Sequence, residues 1–106
     1  MGTDDLIRNA LSLLHEPHDA EAAVAALREA MATADAEGDD AAAGEVRVFL
    51  AEVLYERRTN LEEARSLLEA ALRLASRSPQ DAERIGPWRL TASELLFALE
   101  QEQDGE

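Results

Sequence analysis

The chain has no cysteine, which excludes disulfides, thiolate nucleophiles and sulfur-ligated metals. It has no lysine either, so all ten of its basic residues are arginine; a GC-rich coding sequence or a halophilic host would each produce that bias. Aromatic residues make up only 4% of the chain, and β-branched residues are sparse, so the side chains that suit a pleated sheet are scarce. No apolar run approaches the roughly 20 residues of a membrane span. The start, MGTDDLIRNALSLL, is acidic where a secretory signal would be basic. The sequence therefore predicts no membrane segment and a cytoplasmic location. The net charge of −13 at pH 7 argues against nucleic-acid binding, because neutralising phosphates requires clustered cations. It favours solubility and points toward basic partners.

What the chain does contain is alanine, leucine, glutamate and arginine, the strongest helix formers. At 106 residues it has the length of one domain, able to bury roughly 65% of the surface of its unfolded chain. The expectation is a single all-α domain.

A shift of 41 residues aligns the chain with itself. Ile7, Ala10 and Leu14 fall on Val48, Ala51 and Tyr55; Ala23, Leu27, Ala30, Met31 and Ala34 fall on Ala64, Leu68, Ala71, Leu72 and Ala75. The matched residues recur at spacings of three and four, so each set marks one stripe of a helix, and two stripes make a helical hairpin. A third unit is half complete: Ala51 falls on Ala92 and Leu54 on Leu95, but Val48 falls on Arg89.

Capping chemistry sets the boundaries. Thr3 with Asp4 and Asp5 opens a first helix, Asp19 after Pro17 a second, and Asp39 or Asp40 after Gly38 a third. Asn60 with Glu63 has the polarity of a capping box, and Ser78-Pro79 that of an N-cap followed by proline at the first helical position. These signals predict helices over 3–16, 20–37, 40–57, 61–77 and 79–103, with a break or kink at Gly86-Pro87. Residues 104–106 read as the end of an acidic tail.

Within residues 46–75, Val48, Ala51 and Tyr55 precede a turn, and Leu61, Ala64, Leu68, Ala71 and Leu72 follow it. This pattern resembles the tetratricopeptide repeat, in the extended-helix form found in bacterial regulators. It departs from that family in carrying Leu11 and Glu52 where glycine is usual, in lacking the closing proline, and in a spacing longer than about 34 residues. The resemblance implies a right-handed stack of antiparallel hairpins: one repeat over about 4–37, a second over about 40–77, and a capping helix over about 79–103. It further implies no catalysis and a concave surface that binds a protein or peptide. Carried onto this chain, that surface comprises Arg8, Ser12, Val46, Phe49, Val53, Arg57 and Arg89.

Two apolar stripes raise questions that the resemblance does not decide. The 40–57 segment carries Val46, Phe49, Leu50 and Val53 besides its hairpin stripe, to be covered by neighbouring helices or offered to a partner. In the last helix, Leu90 and Phe97 lie off the inward stripe of Trp88, Ala92, Leu95 and Leu99, and mark a candidate face for assembly with another copy or a neighbouring domain.

Sites for chemistry are scarce. HEPHD puts His15, Glu16, His18 and Asp19 close together, but Pro17 forbids a continuous helix, so the two imidazoles need not share a face, and an exposed turn is the expectation over a metal site. Glu62-Glu63 and Asp39-Asp40 read as first-turn acids, and Arg57-Arg58 as helix-end cations that could also grip a carboxylate. No phosphate loop, nucleophile elbow or dinucleotide fingerprint is present. The sequence thus predicts a non-catalytic interaction module without cofactors. Two rivals are a homo-oligomer joined through the last helix and an acidic antagonist of a basic nucleic-acid-binding surface.

Overall fold

The computed structural model describes residues 20–104. These residues form four α-helices and a short 3-10 turn, with no strand among them: α1 (Ala20–Glu37), α2 (Asp40–Glu56), α3 (Leu61–Arg77), the turn Pro79–Asp81, and α4 (Ala82–Asp104). The expected helix over 3–16 lies outside the described residues, as do Arg8, Ser12 and the HEPHD turn.

Local chemistry explains each boundary. At the end of α1, Gly38 adopts φ 73°; its N–H donates to the Asp35 carbonyl and that of Asp39 to the Ala34 carbonyl, which together form a Schellman motif. Asp39 then caps α2, its side chain accepting from the Ala42 N–H at 3.1 Å. The same motif closes α2, with Arg58 N–H donating to Tyr55 and Thr59 N–H to Leu54. Here the left-handed position is held by an arginine, Arg58 at φ 54°, where glycine is the usual occupant.

Two expectations are corrected. Asn60 and Glu63 do not form a capping box: Asn60 sits in the left-handed region (φ 51°, ψ 49°) and its side chain makes no cap bond, while the Glu63 carboxylate is taken by Arg28. Nor does Gly86-Pro87 break the last helix, since α4 continues through Pro87. The clash that proline inflicts on the preceding residue involves that residue's Cβ, and Gly86 has none. The N-terminal expectation for this segment holds in part, with Pro79 at the first position of the 3-10 turn but no cap bond from the Ser78 hydroxyl.

The 41-residue repeat reappears as burial. Ala23 and Ala64, Leu27 and Leu68, and Ala30 and Ala71 are all fully buried, as is Ala34, with its counterpart Ala75 nearly so, and Met31 and Leu72 are half-buried. Equivalent residues of α1 and α3 thus perform the same packing task. Between them lies α2, which packs against α1, α3 and α4. It buries Ala41, Ala42, Ala43, Gly44, Val46, Val48, Leu50, Ala51, Val53 and Leu54, residues that cover most of its circumference and leave open the strip of Glu45, Phe49, Glu52 and Glu56. A helix apolar around most of its surface belongs near the centre of a fold, and α2 is there.

Candidate functional site

Charged side chains clamp this core through ion pairs that span its elements. Arg28 on α1 grips Glu63 in the first turn of α3 with two bonds of 2.8 Å. Those hydrogen bonds, and then the charge of the guanidinium, hold the Glu63 carboxyl below the usual carboxylate range. Arg47 on α2 reaches Asp35 on α1, and Arg77 at the end of α3 reaches Asp40 at the start of α2. Arg58 bonds both carboxylate oxygens of Glu102 at 2.6 Å and lies 4.8 Å above the Tyr55 ring, while the Tyr55 hydroxyl donates to the same carboxylate. The last turns of α4 are tied in this way to the turn between α2 and α3. Of the Arg57-Arg58 pair, it is Arg58 that grips a carboxylate, an internal one.

Three arginines stand outside this scheme. Arg57, Arg73 and Arg89 are exposed and make no ion pair among the described residues. Arg57 lines a small cleft with Val24, Leu54 and Asn60. Arg89 lines a larger one between the end of α3 and the first turns of α4.

Of the seven residues expected on a concave surface, Arg8 and Ser12 lie outside the described residues, and the other five do not come together as one open face. Val46 and Val53 are core residues at 0% and 3% exposure, and Phe49 is half-buried against the same cluster. Only Arg57 and Arg89 of the described set stand free at the surface, on different clefts. The second apolar stripe of α2 is covered. That of α4 is not: Leu90 and Phe97 are the exposed large hydrophobic residues among those described, each at 63%. Seven positions apart, they lie on one side of the helix, flanked by exposed Ser93, Glu94, Glu100 and Gln101.

Glu52, half-buried on α2, carries a carboxyl pushed above its ordinary range, first by loss of water and then by the charge of Glu56 one turn on. Among the described residues no cluster of acids and histidines has metal-binding form, and no helix is long and apolar enough to cross a membrane. Sequence reasoning missed the close packing of Gly44 against Trp88; its signal was the run of small residues AAAG opening α2. It also missed the cleft beside Arg89, whose signal was an arginine falling on a core valine when the repeat was superposed. No known protein family, curated protein or solved structure matches this chain.

Proposed function

We propose that the chain is a non-catalytic protein-interaction module, a short stack of tetratricopeptide-like helical hairpins that docks a partner on the outer face of α4. The observation that carries this reading is the joint exposure of Leu90 and Phe97 at 63% each, on a helix whose other large apolar residues turn inward or are half-buried. Two large apolar groups left in water on one face are a standard mark of an interaction surface. The face around Phe49, which the family resemblance implies, is less suited to the task because Val46 and Val53 beside it are in the core.

The occupant is a helix or extended segment of another protein with an apolar stripe bordered by basic residues. Charge supports that choice: the stripe is flanked by Glu94 and by Glu100, the latter shared with Arg65 of α3, and the chain carries −13 overall. Bringing two such surfaces together is opposed by like charge, whereas a basic rim is drawn to them and gains on-rate from the field.

The test uses fluorescence anisotropy with amphipathic peptides of one apolar pattern and either basic or acidic rims, on the wild type and Phe97→Glu. Preferential binding of basic peptides, weakening with salt and lost in Phe97→Glu while the circular dichroism is unchanged, is the expected result. Binding without charge preference, or indifferent to Phe97→Glu, removes the proposal. Light scattering across a concentration series completes it: a wild-type dimer that Phe97→Glu dissociates transfers the face to self-association.

A further inference from the structure

We propose that the cleft between the C-terminal end of α3 and the first turns of α4 is a binding site for a carboxylate group carried on a short aliphatic body. The cleft has a volume of about 380 Å³ and is lined by Ala75, Ser76, Ser78, Pro79, Ala82, Ile85, Gly86 and Arg89. That volume is roughly a dozen times the share of one liquid water and falls within the usual range of small-ligand pockets.

Its chemistry is asymmetric. Ala75, Pro79, Ala82 and Ile85 supply apolar walls, and two groups supply polarity. Arg89 makes no ion pair among the described residues, although Arg84 on the same helix and Arg58 and Arg77 elsewhere are all paired with acids. Ser78 is the one buried polar residue among those described, at 2% exposure. Its backbone N–H donates to Ala75 and its carbonyl accepts from Asp81, but its hydroxyl makes no hydrogen bond to a described residue. The neighbouring Ser76 hydroxyl, by contrast, is satisfied by the Leu72 carbonyl. Buried polar groups in native proteins normally have partners, and a ligand oxygen seated beside Arg89 would serve both groups at once.

The class of ligand follows from the count of donors and from the surroundings. A guanidinium and one hydroxyl match the two oxygens of a carboxylate, whereas a phosphate dianion would leave further oxygens unserved. Asp81 and Glu83 stand at the start of the same turns, so a single negative charge is better tolerated than two. Ala82, Ile85, Gly86 and Arg89 recur at three- and four-residue spacing along α4, which places the cation at one end of an apolar strip. Leu90 and Phe97 do not line the cleft, and the site does not rest on their exposure.

Titration of pentanoate into the ¹⁵N-labelled full chain, followed by amide chemical shifts, tests this. Saturable shifts centred on Ala82, Ile85 and Gly86 are expected. Affinity should fall by about tenfold or more in Arg89→Gln, the loss expected for a charge-assisted hydrogen bond, and return in part with Arg89→Lys. Ser78→Ala should weaken binding severalfold without lowering the unfolding temperature. 1-Pentanol at equal concentration should bind far more weakly. Acetyl-glycyl-leucine and its C-terminal amide separate the two sources of a carboxylate: tighter binding of the free acid than of pentanoate assigns the site to a peptide C-terminus, and weaker binding to a free small acid. Absence of saturable shifts, equal binding of pentanol, or an unaltered affinity in Arg89→Gln or in Ser78→Ala overturns the proposal.

Discussion

The six-membered ring of Trp88 occupies the space into which a side chain at Gly44 would project. A Cβ placed on Gly44 would lie 2.8 Å from Cζ2 and 3.0 Å from Cζ3, and closer still to Cη2. The indole is 5% exposed and has little room to withdraw. The small residue on α2 and the large one on α4 therefore define how closely these two helices approach.

Gly44→Ala sets two effects against each other. Alanine gains about 1 kcal/mol in helix propensity over glycine, while overpacking a filled site costs about 1–3 kcal/mol. With the ring buried, steric conflict should prevail, and the urea midpoint should fall by the equivalent of about 1 kcal/mol or more. In a Trp88→Leu background the same change should be neutral or stabilising. An identical loss in both backgrounds would mean that the indole is not the cause.

The helices were legible in the sequence because their determinants are local. Alanine and leucine at three- and four-residue spacing set the stripes, and Gly38 with Asp39 set a boundary that no tertiary contact needs to impose. Leu90 and Phe97 were legible for the same reason, being off the inward stripe of their own helix. The coverage of Val46 and Val53 was not, since whether a second apolar stripe meets a neighbour depends on the tertiary arrangement. Asn60 shows how local reading fails: its capping partner Glu63 is captured by Arg28, 35 residues away. The repeat pattern points to glycine at the positions of Leu11 and Glu52, whereas the close approach of α2 to α4 is made at Gly44.

Two residues of α4, two positions apart, should respond in opposite ways. Leu99 is 2% exposed and belongs to the core, while Phe97 is 63% exposed. Leu99→Ala should lower stability by about 2–5 kcal/mol, through lost transfer energy and the cavity left behind. Phe97→Ser should stay within about 0.5 kcal/mol, as surface changes usually do. Equilibrium urea unfolding of the two variants measures both, and a loss at Phe97 comparable to that at Leu99 would show that its ring is packed in solution.

Acid should act oppositely on two glutamates. Burial raises the folded-state value of Glu52, so its contribution to stability is fully present when it is protonated and is lost as pH rises through that raised value. Glu52→Gln should therefore unfold at a higher temperature than the wild type at pH 7, and the advantage should vanish below the ordinary glutamate value of about 4.3. Glu63 is depressed by its bonds to Arg28, so its contribution is present above the ordinary value and is lost as pH falls through the depressed one. Glu63→Gln should unfold at a lower temperature at pH 7, by the equivalent of about 1 kcal/mol at most, because both partners are partly exposed. Thermal melts from pH 2 to 7 should show the two differences shrinking to nothing from opposite signs.

Arg58 performs two tasks that a single substitution can separate. Its backbone occupies the left-handed position of the motif closing α2, at φ 54°, a conformation that costs a non-glycine residue roughly 1 kcal/mol. Its side chain meanwhile bonds Glu102 and covers Tyr55. Arg58→Gly relieves the backbone while releasing the end of α4, so the urea midpoint should hold or rise even as amide hydrogen exchange quickens in the last turn of that helix. Arg58→Ala should show the faster exchange without the backbone relief. Both effects follow from opposite ends of one residue, because exchange near a helix terminus reports local opening and the midpoint reports global unfolding. If exchange in the last turn is the same in all three proteins, the ion pair with Glu102 does not hold α4 to the turn between α2 and α3.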